Sequence, residues 1–204
     1  MYFNGLCFIA DKSSCSGPLY ETVFTALRAG VMFVQYRQKD GTRRQIYEEA
    51  ARLRKLTRYF NATLIINDYA DIALSVDADG VHLGQDDLPL TEARKIMGEK
   101  IIGISTHDLK QAKDASTGKA DYIGFGPVFE TRTKEAGKPR GLDNLRLIKQ
   151  NVGVPVIAIG GINIDNIGSV FQAGADAAAI ASAICRGDVS ANAAQLVSVL
   201  KSMQ

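Results

Sequence analysis

Short apolar runs alternate with amphipathic stretches along all 204 residues of the chain. Apolar runs of four or five residues are typical of buried parallel strands, and apolar positions three and four residues apart are typical of helices. In one stretch, Ile46, Ala50, Leu53 and Leu56 have that helical spacing. The predicted strands are 6–10, 32–36, 63–66, 80–83, 101–104, 122–125, 156–159 and 177–181. The predicted helices are 19–29, 43–59, 69–76, 90–97, 108–115, 142–150, 164–173 and 192–202.

This order of elements predicts an α/β fold, a single (β/α)8 TIM barrel spanning residues 1–204. Strict alternation of strands and helices indicates a parallel sheet, and eight units is the number that closes a barrel. A doubly wound open sheet is the alternative. Its usual glycine-rich phosphate loop is missing after the first strand, where the sequence reads Asp11-Lys12-Ser13-Ser14. The barrel is therefore the preferred prediction.

Composition argues against several classes of partner. The net charge is only +2, with 24 Lys and Arg against 22 Asp and Glu, so no bulk charge favours nucleic acid or an acidic membrane surface. No apolar stretch approaches the ~18 residues of a membrane span, and the N-terminus does not resemble a secretory signal. We expect a cytoplasmic protein without a nucleic-acid or membrane partner. Whether it forms a homo-oligomer is left open.

The cysteines and histidines do not suggest a metal or disulfide framework. Cys7, Cys15 and Cys185 are odd in number and far apart, which favours unpaired apolar residues over disulfides. With two histidines in the chain, His82 and His107, a zinc site is not expected. We expect His82 to be a packed, hydrogen-bonded side chain inside its strand.

Polar clusters follow the predicted strands, at the end of a barrel where active sites lie. Asp68 and Asp87 come after strands three and four and would suit Mg²⁺, which favours one or two carboxylates together with phosphate oxygens and water. Each aspartate could instead cap a helix, and Asp86 could replace Asp87. As a pair beside basic residues, Asp68 and Asp87 favour the metal interpretation.

Basic and hydroxyl side chains surround this pair in the prediction. Gln35, Arg37 and Lys39 alternate along the end of strand two, so their side chains point to one side. Arg37 and Lys39 would bind a diphosphate, and Lys134 in the loop after strand six could reach the same anion. Further candidates are the hydroxyls of Ser105, Thr131 and Thr133, and the small residues 160–161 and 181–183, which lie where barrels commonly bind phosphate.

Six segments, in order over nearly the whole chain, resemble thiamine-phosphate synthases. These segments are 35–39 (QYRQK), 67–68 (ND), 78–87 (ADGVHLGQDD), 103–107 (GISTH), 126–134 (GPVFETRTK) and 159–162 (IGGI). The resemblance implies a transferase of thiamine biosynthesis that joins a hydroxymethylpyrimidine diphosphate to a thiazole phosphate. Diphosphate would leave early, and the thiazole nitrogen would capture the resulting pyrimidine cation.

The resemblance also implies a role for each matching residue. Gln35 would contact the pyrimidine; Arg37, Lys39, Asn67, Ser105 and Lys134 would hold the diphosphate; Asp68 and Asp87 would hold Mg²⁺; and Thr131, Thr133, Gly161, Ala181 and Ser182 would bind the thiazole phosphate. Tyr36, Gln38 and Arg132 are further substrate-binding candidates, and the catalytic candidates are Arg37, Lys39, Ser105 and Lys134.

The chain departs from the family pattern at four positions. Gln38 stands where Glu is frequent, Tyr69 and Ala70 stand where an Arg is common, and Ala181 replaces a more usual Val. None of these departures removes a predicted metal or diphosphate ligand. The loop 130–140 is rich in charge and contains Gly137, and we expect it to close over the site as a lid.

Three other functions remain as alternatives. A thiazole tautomerase would share the barrel but needs a general acid–base residue, and the histidine of that branch is replaced here by Pro127. A non-catalytic phosphate-binding barrel would not need the complete set of cations and aspartates. A sugar-phosphate isomerase would leave the residues after strands two to four without a task, although fold alone does not separate it.

Overall fold

Eight parallel strands close into a barrel in the computed structural model, which describes residues 5–131 and 137–202. The strands are β1 (Gly5–Asp11), β2 (Phe33–Arg37), β3 (Thr63–Asn67), β4 (Gly80–Leu83), β5 (Ile101–Thr106), β6 (Tyr122–Phe125), β7 (Val156–Ile159) and β8 (Ala177–Ile180). Each strand pairs with the next in sequence, and β8 pairs with β1. The predicted fold class is confirmed.

Helices pack around the outside of the barrel. They are α1 (Leu19–Arg28), α2 (Arg43–Tyr59), α3 (Ala70–Ser75), α4 (Leu90–Met97), α5 (Leu109–Thr117), α6 (Gly141–Asn151), α7 (Ile167–Gln172), α8 (Ser182–Cys185) and α9 (Val189–Ser202). Sequence periodicity missed α8 because one turn is too short to show a period. It also placed the start of α9 three residues too late.

The strands separate two apolar cores. Residues on the outward face of each strand, such as Phe8, Val34 and Leu64, pack against the helices in the larger core. Residues of the opposite parity fill the barrel in a smaller core that contains Ile9, Tyr122 and small alanines of β8. Because successive side chains alternate across a strand, every second residue of each strand points into the barrel. The functional side chains near the carboxyl ends of the strands extend this inward-facing set.

The opposite end of the barrel carries a repeated Ala-Asp pair, before β4, β6 and β8. The second residues are Asp79, Asp121 and Asp176. Each aspartate forms two hydrogen bonds with one residue, the first or second, of the strand that precedes it in sequence. The aspartate carboxylate accepts the backbone N–H of that residue at 2.7 Å. The backbone N–H of the aspartate donates to the carbonyl of the same residue at 2.9 Å. Each also meets a cation from α2, α4 or α6, respectively Arg54, Arg94 and Lys149.

The structure corrects the prediction for two of the three cysteines. Cys15 and Cys185 are joined by a disulfide with Cα atoms 4.8 Å apart, whereas Cys7 is free and buried. A separation of 170 residues hid this proximity in the sequence, because it arises only when barrel closure brings β8 beside β1. Among the described residues, no helix has the length and apolar character that crossing a membrane requires.

Candidate active site

A chain of side-chain amides connects β2 to the end of β3. The side-chain NH₂ of Gln35, buried inside the barrel, donates to Oδ1 of Asn67 at 2.7 Å. The Asn67 side chain in turn donates to the carboxylate of Asp68. Strand alternation explains the arrangement, since Gln35 and Asn67 both point inward on neighbouring strands. The amides therefore fix one another and the carboxylate that follows them.

Asp68 and Asp87 come together at the ends of β3 and β4. Asp68 has a φ of +66°, a conformation that Asp tolerates better than most residues, and its N–H donates to the His82 carbonyl at 2.8 Å. Burial, and then the adjacent Asp87 carboxylate, raise the pKa of Asp68 to about 6. Lys39 and Arg37 act in the opposite direction on the same pKa. The fold thus holds two carboxylates in contact next to two cations.

Asp87 belongs to a tight turn after β4. Its Oδ2 accepts the N–H of Gly84 at 2.7 Å, and this bond orients its carboxylate toward Asp68. Asp86 is exposed, and Asp87 is the one that acts on Asp68. Of the two aspartates that the sequence left open, the structure brings Asp87 to the site. Neither Asp68 nor Asp87 is used as a helix N-cap, since α3 and α4 begin after Tyr69 and Pro89.

Arg37 is held by a residue that sequence reasoning did not select. Its guanidinium forms an ion pair with Asp11 at the end of β1, and both side chains are at most one-fifth exposed. Asp11 and Arg37 are register partners in the β1–β2 pair. Lys39, two residues further, is exposed beyond the strand end. The sequence did contain a feature that could have identified Asp11 as a site residue, because Asp11 is the polar residue that ends an apolar strand.

Ser105 of β5 is hydrogen-bonded from below by His82. The distance from His82 Nε2 to Ser105 Oγ is 2.8 Å, and His82 Nδ1 lies 3.0 Å from the hydroxyl of Tyr122. The Ser105 carbonyl also accepts from the side chain of Gln85, which links the turn after β4 to β5. The expectation that His82 is a packed, hydrogen-bonded side chain is confirmed. Its hydrogen bond to Ser105 could not be predicted from the sequence, because the two residues lie on different strands.

The glycines after β7 are explained by close backbone packing. Gly160 and Gly161 have φ values of +96° and +67°. A Cβ on Gly160 would lie 2.4 Å from Pro127, and one on Gly161 would lie 2.3 Å from the Glu130 carbonyl. The loop after β6 therefore runs directly over these residues, and Thr131 ends its described part. Ala181 precedes α8 and Ser182 begins it, after the neighbouring strand β8.

Of the remaining predicted residues, Tyr36 and Gln38 are described by the structure and the others are not. Tyr36 faces away from the barrel interior: it is buried against the helices, and its hydroxyl donates to Glu49 of α2 at 2.8 Å. Tyr36 is a predicted substrate-binding residue, but its side chain points away from the site, because it has the opposite parity to Gln35 and Arg37 on β2. Gln38 is half-buried and hydrogen-bonded to the Asp40 carbonyl. Arg132, Thr133, Lys134 and most of the predicted lid lie outside the described residues.

Fold and site together are typical of a (β/α)8-barrel enzyme that acts on a phosphorylated substrate. The chain forms such a barrel, and paired carboxylates and cations lie at the carboxyl ends of its strands. Residues 6–184 match the family model described as thiamine monophosphate synthase. The thiamine-phosphate synthase of Chloroflexus aurantiacus is 47% identical over 194 residues, covering 94% of this chain and 90% of that protein. The chain belongs to the thiamine monophosphate synthase family, and it is a transferase of thiamine biosynthesis.

Solved structures agree with this assignment. A thiamine phosphate pyrophosphorylase from Pyrococcus furiosus superposes with a TM-score of 0.91 at 38% identity, covering 97% of this chain and 96% of that one. A geranylgeranylglyceryl phosphate synthase from Thermoplasma acidophilum superposes with a TM-score of 0.72 at 17% identity, which shows the fold alone. The predicted family and overall activity are confirmed.

Proposed function

We propose that this chain makes thiamine phosphate from a hydroxymethylpyrimidine diphosphate and a thiazole phosphate by Mg²⁺-assisted departure of diphosphate. The observation that carries the proposal is the contact between Asp68 and Asp87, with Arg37 and Lys39 close enough to lower the pKa of Asp68. Two carboxylates and two cations at one end of a barrel are suited to a metal-bound polyanion. A thiazole tautomerase or an isomerase would have no use for this combination.

The donor set fits Mg²⁺. The described residues contain no group of three or more His, Cys, Asp or Glu side chains that could enclose a metal. Mg²⁺ commonly binds through one or two carboxylates and takes its other ligands from substrate phosphates and water. Asp68 and Asp87 would supply the protein ligands. Burial first, and then the neighbouring Asp87 carboxylate, raise the pKa of Asp68 and disfavour its charged form, which a bound cation would favour. When bound, Mg²⁺ would neutralise charge that develops on the leaving diphosphate.

Arg37 and Lys39 would act on the same leaving group. The ion pair with Asp11 holds the Arg37 guanidinium in place before substrate arrives, so less side-chain freedom is lost on binding. Fixed cations stabilise a charge as it develops without reorganising, which favours early departure of the diphosphate. Ser105 would donate its hydroxyl to a diphosphate oxygen, and Lys134 would complete the set from the loop after β6.

Gln35 would orient the pyrimidine. Its amide is fixed by Asn67, which in turn contacts Asp68, so the pyrimidine contact and the metal ligands belong to one hydrogen-bonded chain. The thiazole phosphate would bind across the barrel mouth at Gly161, Ala181 and Ser182, with Thr131 and Thr133. A route through a pyrimidine cation needs no strong general base.

The test is formation of thiamine phosphate from the two phosphorylated precursors, read as thiochrome fluorescence with Mg²⁺ and with EDTA. We expect product only with Mg²⁺, and a loss of kcat/KM of at least about a hundredfold in Asp68→Asn and Asp87→Asn, since a group that stabilises charge in the transition state typically contributes that much. Asp86→Asn is the matched control: it removes the same charge one residue away and should retain activity.

Three results would contradict the proposal or part of it. Equal activity in EDTA and Mg²⁺ would remove the metal from the reaction. No product from folded protein would refute the synthase activity, and proton exchange on a thiazole substrate would then be measured to examine the tautomerase alternative. Equal losses in Asp86→Asn and Asp87→Asn would show that the general charge of this end matters and not the specific pair.

A further inference from the structure

Three polar side chains form a continuous hydrogen-bonded column inside the barrel, below the site. The Tyr122 hydroxyl lies 3.0 Å from His82 Nδ1, and His82 Nε2 lies 2.8 Å from Ser105 Oγ. Tyr122 and His82 are 1% and 7% exposed, and their rings stack with centroids 5.4 Å apart. Ser105 is half-buried at the top, where the column meets the substrate end. None of the roles assigned above uses Tyr122 or His82.

Two glycines make the room for this column. A Cβ on Gly103 would lie 2.1 Å from Cζ of Tyr122, and one on Gly124 would lie 3.0 Å from Cε1 of His82. Both glycines are in the middle of strands and neither has a positive φ, so no turn requires them. They stand at inward-facing positions where a barrel usually carries side chains that fill it. The space is thus kept for the phenol and the imidazole.

Two neutral rings allow the hydrogen bonds of this column to run in one of two directions. A neutral imidazole offers one donor and one acceptor, and burial favours this neutral form of His82, whose two ring nitrogens both lie within hydrogen-bond distance of a hydroxyl. Burial also raises the pKa of Tyr122, which keeps its proton. If the phenol donates to Nδ1, the imidazole proton must be on Nε2, and Nε2–H then donates to Ser105 Oγ. The Ser105 hydrogen is left to point toward the site.

We propose that Tyr122 and His82 are positioning residues that fix the Ser105 hydroxyl as a hydrogen-bond donor to the anionic leaving group. This inference rests on the proposed function, because it requires an anion above Ser105. In the reverse arrangement Ser105 would donate down to Nε2 and present only lone pairs to the diphosphate, which would repel it. The column therefore determines whether Ser105 stabilises the anion or opposes it.

The first test needs no activity. In the ligand-free protein, long-range ¹H–¹⁵N correlations should show His82 as the Nε2–H tautomer, with His107→Asn used to assign the two histidines. Tyr122→Phe keeps the ring that fills the barrel but removes the donor, and it should shift His82 toward Nδ1–H. A predominant Nδ1–H tautomer in the unmodified chain would overturn the inference, whatever its activity.

The second test asks whether the column acts through Ser105. We expect Tyr122→Phe and Ser105→Ala each to lower kcat about ten- to a hundredfold, the range for a hydrogen bond to a charged group. In the Ser105→Ala background, Tyr122→Phe should have less than about a twofold further effect. Equal losses in both backgrounds would mean that Tyr122 is only structural and would refute the inference.

Inorganic diphosphate with Mg²⁺ separates this inference from the proposed function. Binding measured by calorimetry should weaken in Tyr122→Phe and Ser105→Ala by the same factor, and the double variant should be no weaker than either single variant. This comparison holds even if no thiamine phosphate forms. Product formation together with additive binding losses would retain the synthase function and reject the column.

Discussion

Asp176 is expected to stabilise the barrel mainly through a backbone hydrogen bond and only secondarily through an ion pair. Its carboxylate accepts the N–H of Val156, a fully buried residue, at 2.7 Å, and it meets Lys149 Nζ at 2.6 and 2.8 Å. Leaving a buried N–H unsatisfied costs about 1–3 kcal/mol. The ion pair is about one-third exposed and contributes about 0–1 kcal/mol. Asp176→Ala should therefore lower the free energy of unfolding by about 2–3 kcal/mol.

Urea unfolding at 25 °C, followed by circular dichroism, would measure this loss. Asp176→Asn keeps an oxygen for the Val156 N–H and should lose about 1 kcal/mol, and Lys149→Met should lose less than about 1 kcal/mol. The kinetics of thiamine phosphate formation should hardly change, because Asp176 precedes β8 and the site follows the strands. If Lys149→Met were as damaging as Asp176→Ala, the ion pair would be the dominant contribution and the reasoning would be refuted.

Three further predictions concern the site and its support. Asp87→Asn should lower the pKa of Asp68 from about 6 toward its ordinary value in metal-free protein, measured by carboxyl ¹³C NMR; an unchanged pKa would mean that burial alone sets it. Gly103→Ala should destabilise the fold by more than about 2 kcal/mol in urea unfolding, because the added Cβ would overlap the Tyr122 ring; a neutral result would show that the ring can move. Burial lowers the pKa of His82 in the folded protein to about 4, below the ordinary histidine pKa of 6.5, so the unfolded chain binds more protons between these values. Stability should fall by up to about 3 kcal/mol relative to His82→Gln as pH drops from 6.5 to 4, and parallel pH profiles of the two proteins would contradict this.

The elements could be predicted because both periodicities are strong in this sequence. The bounds of α2 and of β4 agree with the prediction to the residue, since each has a clean apolar pattern and a polar or glycine boundary. The short helix α8 and the disulfide between Cys15 and Cys185 were missed. Neither leaves a periodic pattern, and the disulfide depends on which strands become neighbours when the barrel closes.

The site was only partly predictable for a related reason. Strand ends could be located, so Asp68, Asp87 and Arg37 were expected to converge, and they do. To predict which face of the sheet a side chain occupies, the exact position of each residue in its strand must be known. Tyr36 is next to Arg37 in sequence, but its side chain points to the helices and that of Arg37 points to the site. Side-chain contacts between neighbouring strands, such as that between His82 of β4 and Ser105 of β5, connect residues 23 positions apart and have no local signal in the sequence.

Aspartates at the two ends of the barrel differ in how well their negative charge is compensated by neighbouring groups. At the amino end, Asp79, Asp121 and Asp176 each receive a backbone N–H and a cation, so folding satisfies them without a ligand. At the carboxyl end, Asp68 is buried beside another carboxylate; burial first and Asp87 second keep its pKa raised, although Lys39 and Arg37 act to lower it. Folding therefore disfavours the charged form of Asp68, and a bound cation would favour that form and stabilise the native state. The same amino acid supports the fold where its charge is fully compensated and prepares a binding site where it is not.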